Sequence, residues 1–285
     1  MDHIVEGEWI FLLSPEGGNL LGSTYMCELM GMESNAPTDI AFSFSELALR
    51  GGAKGPHSDG WGLALYDGSA VRTFLEPTAA SRSTLASYVR CNPMKTLLAI
   101  AHIRKKTRGE CVLANTHPFV RELWGRSFTF AHNGTVRAAH KLPLGRFRPI
   151  GDTDSEYAFC ALLAGIEKRL KSYPKQRHLL WEAVAETSAS IGRSGTFNFL
   201  LGDGTHLFAR CATKLCYVLR KAPFSRATLV DSELTFDFTR STKPTDRIAV
   251  VATVPLTRDE AWTHGNPGQL WVFRGGSLRA TLPAA

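Results

Sequence analysis

The sequence predicts an α+β fold built on antiparallel sheets, and three observations carry that expectation. Two apolar stretches fold back on themselves across Asp-Gly pairs, two long segments repeat their apolar residues at helical spacing, and no repeat, low-complexity tract or linker divides residues 27–285. Those residues are read as one domain in which amphipathic helices cover the faces of sheets.

The first hairpin joins residues 63–66 to residues 71–75 around Asp67-Gly68, a pair that accepts the positive φ of a two-residue turn. Strands are expected next at residues 97–102 and 127–131, the latter running into a turn at Asn133-Gly134. The first helix starts near Asp154, where Thr153 and Glu156 have capping-box spacing, and buries Phe159, Leu162, Leu163, Ile166 and Leu170 on one face. A second helix, residues 175–191, places Leu179, Leu180, Ala183, Val184, Thr187 and Ile191 on one buried stripe. Residues 196–201 and 207–209 repeat the hairpin device around Asp203-Gly204, and further strands follow at residues 215–219, 247–253 and 270–273.

Composition sets outer limits. With 285 residues, 44% hydrophobic and 21% charged, the chain is too apolar for a disordered protein. No apolar run approaches the roughly 20 residues that span a bilayer. The first 26 residues hold Asp2, Glu6, Glu8 and Glu16 but no Lys or Arg, unlike a secretory signal or transit peptide. They are expected to be a leader, a propeptide or a mis-assigned start. Because they supply four acids and no base to a chain of net charge +7, residues 27–285 alone carry +11, a body that attracts anions. Cys27, Cys91, Cys111, Cys160, Cys211 and Cys216 form no CxxC pair, so neither a zinc site nor a disulfide framework is suggested and a reducing cytoplasm is expected.

Four segments could carry chemistry. Cys27 stands where the leader meets the body, and an isolated cysteine is ordinarily a small buried apolar residue. If Met26 is the initiator, however, its removal leaves Cys27 an α-amine whose unperturbed pKa of about 8 lets it take the thiol proton and later protonate a leaving amine. Ala101-His-Ile-Arg-Lys-Lys-Thr-Arg-Gly109 ends a strand in four cations, either a solvated basic loop or, through Arg104, a rigid fork for a carboxylate. In Phe130-Ala-His-Asn-Gly-Thr135, turn chemistry explains Asn133-Gly134, while an amide beside a backbone N–H is also how an oxyanion hole is built. In Gly151-Asp-Thr-Asp-Ser-Glu156, capping accounts for Thr153 and Glu156 and leaves Asp154 ionised in the first turn, where it could hold an ammonium. Asn115-Thr-His-Pro-Phe119 reads as a loop before a proline, and His57-Ser-Asp-Gly-Trp-Gly62 as a tight turn into a strand.

Taken in order, Met26-Cys27, Asp59-Gly-Trp-Gly62, Ala101-His-Ile-Arg104, Asn115-Thr-His-Pro118, His132-Asn-Gly134 and Thr153-Asp-Ser-Glu156 resemble the glutaminase domain of class II glutamine amidotransferases. The look-alikes are stand-alone bacterial members of the YafJ type, and the resemblance runs from residue 26 to about residue 275. It implies the N-terminal-nucleophile (Ntn) hydrolase fold, a four-layer αββα sandwich of two antiparallel sheets. It also implies Cys27 as nucleophile, Arg104 and Thr107 on the glutamine α-carboxylate, Asp154 on its α-ammonium, and Asn133 with the Gly134 N–H as oxyanion hole. Should a side-chain base be needed instead of the α-amine, His102, His117 and His132 are nearest by motif.

Two departures from the family pattern stand out. Lys105 occupies a place where many members carry an aromatic residue, and no P-loop, Rossmann glycine pattern or synthase domain is legible. The expected activity is hydrolysis of glutamine through a Cys27 γ-glutamyl thioester, releasing ammonia, with no cofactor. A separate synthase subunit or other ammonia acceptor is left open. The alternatives are a dedicated hydrolase of a γ-glutamyl metabolite and a non-catalytic module for an anionic partner; without RNA-binding motifs, nucleic acid is not an expected partner.

Overall fold

The computed structural model describes residues 27–106 and 109–284. The first half of the chain forms β1 (Glu28–Asp39), α1 (Ala41–Arg50), β2 (Trp61–Asp67), β3 (Ala70–Glu76), α2 (Thr84–Cys91), β4 (Lys95–Ile103), β5 (Phe119–Leu123) and β6 (Arg126–Val136). Then come α3 (Asp154–Arg169), α4 (Arg177–Gly192), β7 (Gly195–Gly202), β8 (Leu207–Cys211), β9 (Cys216–Lys221), β10 (Arg226–Thr228) and β11 (Thr235–Asp237). The chain finishes with β12 (Arg247–Ala252), β13 (Thr263–His264), β14 (Gln269–Phe273) and β15 (Leu278–Pro283).

One sheet has seven strands in the order β13-β9-β12-β1-β4-β2-β3, the other six in the order β15-β14-β8-β7-β6-β5, and β10-β11 is a small ribbon. Every pairing is antiparallel. Three apolar clusters define four layers. Phe44 and Leu47 of α1 and Val89 of α2 pack on Met30, Leu63 and Ile103 at the outer face of the first sheet. Phe159, Leu163 and Val184 of α3 and α4 pack on Phe128, Phe130 and Phe199 at the outer face of the second. Leu29, Ile100, Ala131, Leu200 and Leu207 fill the space between the sheets. This is the α+β sandwich expected from the sequence.

The strand pleat makes those layers distinct, because successive side chains point to opposite faces. On β1, Leu29 faces the second sheet while Met30 and Met32 face the helices. Gly31 also faces inward, and a Cβ there would lie 2.9 Å from Leu207 Cδ2, so the sheets approach closely where a side chain is missing.

Both hairpins form, with small adjustments. Asp67 pairs with Ala70, so the first loop consists of Gly68 and Ser69, and Gly68 supplies the positive φ of 61°. Helix α3 begins at Asp154, and Thr153 Oγ1 accepts from the Glu156 N–H at 3.3 Å. Three expectations are corrected. Leu170 lies just past the helix, half-buried against the same core. Leu179 is 36% exposed, because Leu180, Val184, Thr187 and Ile191 form the buried stripe and Leu179 sits about 100° around the axis from Leu180. Asn133-Gly134 is not a turn: β6 runs on to Val136, with Asn133 opposite Asn198 and Gly134 opposite Phe197.

No described helix is long and apolar enough to cross a membrane. Among the contacts that pin the sheets to each other is a buried phenol. Tyr66 on β2 is 6% exposed, and its hydroxyl lies 2.9 Å from the Ser127 carbonyl oxygen, 2.8 Å from that of Gly202 and 2.9 Å from Thr129 Oγ1, with one proton shared between them. Tyr66→Phe leaves these buried acceptors without their donor and is expected to cost about 1–3 kcal/mol in urea unfolding with m unchanged. An unaltered midpoint would show that the hydroxyl does not hold the sheets together.

Candidate active site

The site is built where β1 starts and β6 ends, at the open edge between the sheets. By the alternation of β1, Cys27 faces inward and Glu28 outward. The half-buried Cys27 thiol donates to the Lys105 carbonyl at 3.3 Å and accepts from the Lys105 N–H at 3.3 Å. Its own carbonyl accepts a short hydrogen bond from Asn133 Nδ2. This contact fixes the orientation of the Asn133 amide, because a carbonyl can only accept, and it leaves Asn133 Oδ1 buried with no donor among the described residues.

Sequence reasoning did not find Asn198, on which Asn133 rests. Asn198 Nδ2 donates to the Asn133 carbonyl at 3.0 Å and to Thr213 Oγ1 at 2.9 Å, while its Oδ1 accepts from the N–H groups of Ala212 and Thr213. An asparagine inside an apolar strand with no turn beside it was the available signal. The glycine after Asn133 is required by crowding: Gly134 has φ 151°, and a Cβ there would lie 2.0 Å from the Thr196 carbonyl oxygen.

The basic segment is held by backbone pairing rather than left in solvent. The Arg104 N–H donates to the Gly60 carbonyl at 2.8 Å, the Asp59 N–H to the Arg104 carbonyl at 3.1 Å, and the Lys106 N–H to Asp59 Oδ2 at 2.7 Å. Arg104 is 4% exposed and donates from Nη1 to the Glu110 carbonyl at 2.8 Å. Asn115 secures the far side of this loop, donating to the Glu110 carbonyl (3.2 Å) and accepting from the Asp152 N–H (3.0 Å). Thr107 lies outside the described residues.

Asp154 stands at the start of α3, half-buried, and its Oδ2 accepts from the Val136 N–H at 2.7 Å, tying the helix to the end of the strand that carries Asn133. Glu156 does not close a reciprocal capping box. Its carboxylate is only 1% exposed, and it accepts from the N–H groups of Ile150 (3.0 Å) and Gly151 (2.7 Å) and a short bond from Arg121. It therefore fixes the approach to the helix, not the cap itself. The structure thus brings Cys27, Lys105 and Asn133 into contact, with Arg104 and Asp154 anchored on the same two segments.

The surroundings are dry, and this sets the protonation states. Burial pushes the Cys27 thiol up to about 11, only partly offset by the Lys105 N–H and the Arg104 guanidinium. On β4, His102 lies opposite Leu29, and its ring is 4.3 Å from that of His117; both are buried, with no hydrogen-bond partner on any ring nitrogen among the described residues. Burial lowers His102 to about 3 and His117 well below its ordinary value, each helped by nearby cationic groups. His132 faces the other way, with Nδ1 2.8 Å from Ser155 Oγ and Nε2 3.1 Å from the Thr196 carbonyl oxygen, and burial lowers it although Asp154 acts in opposition. Among the described residues, no group of three His, Cys, Asp or Glu side chains is placed to hold a metal ion.

A raised thiol pKa means that the thiolate is scarce at neutral pH and grows with each pH unit until the pKa is reached. In the full-length chain, alkylation of Cys27 by iodoacetamide, read by peptide mass spectrometry, is expected to accelerate about tenfold per unit between about pH 7 and 9.5. A plateau below pH 9 would contradict the assignment of a buried, protonated thiol.

The geometry finds counterparts among known proteins. The family model described as class II glutamine amidotransferases matches residues 26–285. YafJ of Escherichia coli (strain K12) is 46% identical over 248 residues, spanning 87% of this chain and 97% of the relative. The crystal structure of a predicted glutamine amidotransferase from Pseudomonas aeruginosa aligns with a TM-score of 0.71 at 38% identity, covering 89% of this chain and 100% of the other. At 16% identity, the glutamine phosphoribosylpyrophosphate amidotransferase of B. subtilis shares the fold, with a TM-score of 0.57 over 91% of this chain and 49% of that one. The chain that folds in this way, with a cysteine at the head of its central strand, is an enzyme of the class II glutamine amidotransferase family.

Proposed function

We propose that this enzyme hydrolyses the side-chain amide of glutamine through a γ-glutamyl thioester on Cys27. The observation that carries the reading is the meeting of the Cys27 thiol, the Lys105 peptide and the Asn133 amide at one cleft mouth. In this reaction Sγ attacks the amide carbon of glutamine, and the resulting oxyanion accepts from the second Asn133 N–H and the Gly134 N–H. The C–N bond breaks, ammonia departs with the proton taken from the thiol, and water then cleaves the thioester to glutamate and a free thiol. Arg104 and Thr107 bind the α-carboxylate and Asp154 the α-ammonium, one cation-bearing and one anionic contact for a zwitterion.

The base in this proposal is the α-amine of Cys27, which exists only when residues 1–26 are gone. Three observations support it. The family model begins at residue 26, burial makes all three neighbouring histidines reluctant to take up a proton, and Asn133 Oδ1 has no donor among the described residues, a place a freed amine would fill. On this reading residues 27–285 are a single glutamine amidotransferase domain. An ammonium on the nucleophile itself also lowers the thiol pKa, opposing the burial effect.

Protein started at Met26 and processed to a free Cys27 is expected to release glutamate from glutamine or a γ-glutamyl amide, while folded protein with a verified uncleaved leader is expected to be inactive. Equal activity in the two would refute the α-amine as base. Within the processed enzyme, Asn133→Ala is expected to lower kcat by about 10²- to 10³-fold with a much smaller change in KM, since an oxyanion donor acts on charge that develops in the transition state. A change confined to KM would instead make Asn133 a shaper of the pocket.

A further inference from the structure

We propose that Glu28, clamped by Arg50 on the outer face of the first sheet, is a positioning residue that holds Cys27 in its attacking geometry. The proposal rests on Cys27 being the nucleophile, and it begins from a mechanical problem. Once its amine is free, a terminal residue has no chain on its upstream side, so its only covalent tether is the peptide to the next residue. Whatever fixes Glu28 therefore fixes the nucleophile.

The structure fixes Glu28 firmly. Arg50, the last residue of α1, is 6% exposed and uses its guanidinium as a four-way clamp. Nη1 donates to Glu28 Oε2 at 3.1 Å, Nε to Asp231 Oδ2 at 2.6 Å, and Nη2 to both Glu46 Oε1 at 3.2 Å and the Pro255 carbonyl at 2.9 Å. A planar fork with that many simultaneous partners cannot swing, so it presents Nη1 to Glu28 at a set place. The Glu46 carboxylate is in turn braced by the Asp231 N–H at 2.7 Å.

The rest of the tether is held from the inner side and from the neighbouring strand. Asn133 Nδ2 takes the Cys27 carbonyl from within the cleft, and the Leu29 N–H donates to Thr253 Oγ1 at 2.9 Å. The Cys27 carbonyl is thus secured from the inner side, Leu29 from the neighbouring strand of its own sheet, and Glu28 from the outer side. Contacts with the Lys105 peptide oppose rotation of the thiol about its own Cα–Cβ bond, and the Glu28 side chain opposes rotation of the peptides on either side of Glu28, which would carry Sγ with them. Displacement of a reacting atom by about 1 Å can cost on the order of 10²-fold in rate, so this restraint bears on turnover without touching substrate.

The test uses the processed enzyme with a mass-verified free Cys27, carrying Glu28→Gln, Glu28→Asp or Glu28→Ala, with kcat and KM for glutamine and thermal unfolding measured for each. Gln keeps an oxygen at the position that accepts from Nη1, so its kcat is expected within about threefold of the parent. Asp keeps the charge but withdraws it by one methylene, and Ala removes it; both are expected to lose about tenfold or more in kcat with KM within about threefold. The Asp variant retains a carboxylate on the same surface, so the comparison survives if the Ala variant fails to fold. An active parent whose Asp and Ala variants keep parental kcat would overturn the positioning role. So would losses that track thermal stability and appear equally in the Gln variant. A parent inactive on glutamine and on γ-glutamyl amides would instead overturn the nucleophile assignment, and the positioning role with it.

Discussion

One hydrogen bond, from the Asn133 amide to the Cys27 carbonyl, joins the two sheets where they part, and the arrangement of the site depends on it. For that amide to face the cleft, β6 must stay pleated past His132, since alternation alone puts His132 on the helix side and Asn133 on the inner side. The strand can do so because Gly134 tolerates the carbonyl of Thr196 against its Cα, and because Asn198 on the neighbouring strand supports the Asn133 backbone. The Lys105 peptide, held on its own strand by the pairing of Arg104 with Gly60, meets that pair through the Cys27 thiol.

Much of the fold was legible, for identifiable reasons. The hairpins were visible because Gly68 and Gly204 occupy positive-φ turns, and α3 because Thr153 caps it. Strand β1 was not visible. It lies between β4 and β12 with both faces covered, so Leu29, Met30 and Met32 form an apolar run without period two, interrupted by Gly31. Helix α1 was hidden for a related reason: Ser43, Ser45 and Glu46 are buried along with Phe44 and Leu47, its N-cap residue Ile40 offers no side-chain bond, and no polar face marks it.

The candidate site divides along the same line. Cys27, Arg104, Asn133 and Asp154 stand at ends of patterned elements, where a side chain is conspicuous. Lys105 contributes its peptide N–H and carbonyl rather than its ammonium, and no side-chain motif encodes a backbone contact. Asn198 and Arg50 act through residues distant in the chain, so their partners follow from topology and not from spacing. The dryness of the cleft was equally invisible: three histidines in one small region suggest proton traffic on paper, yet their enclosure keeps all three neutral.

The tight contact at Gly31 bears on molecular traffic. Two residues beyond the site's end of β1, Leu29, Gly31, Leu200 and Leu207 close the space between the sheets with fully buried apolar atoms, and His102, opposite Leu29 in register, packs its ring on that of His117. The aliphatic wall along β1 therefore offers no hydrogen bond to an ammonia molecule or a water, whereas the ring nitrogens of His102 and His117, without partners among the described residues, do. Close packing at Gly31 thus bars polar molecules from passing between the sheets along that stretch of β1, where a solvated group would have to shed its water without finding a partner.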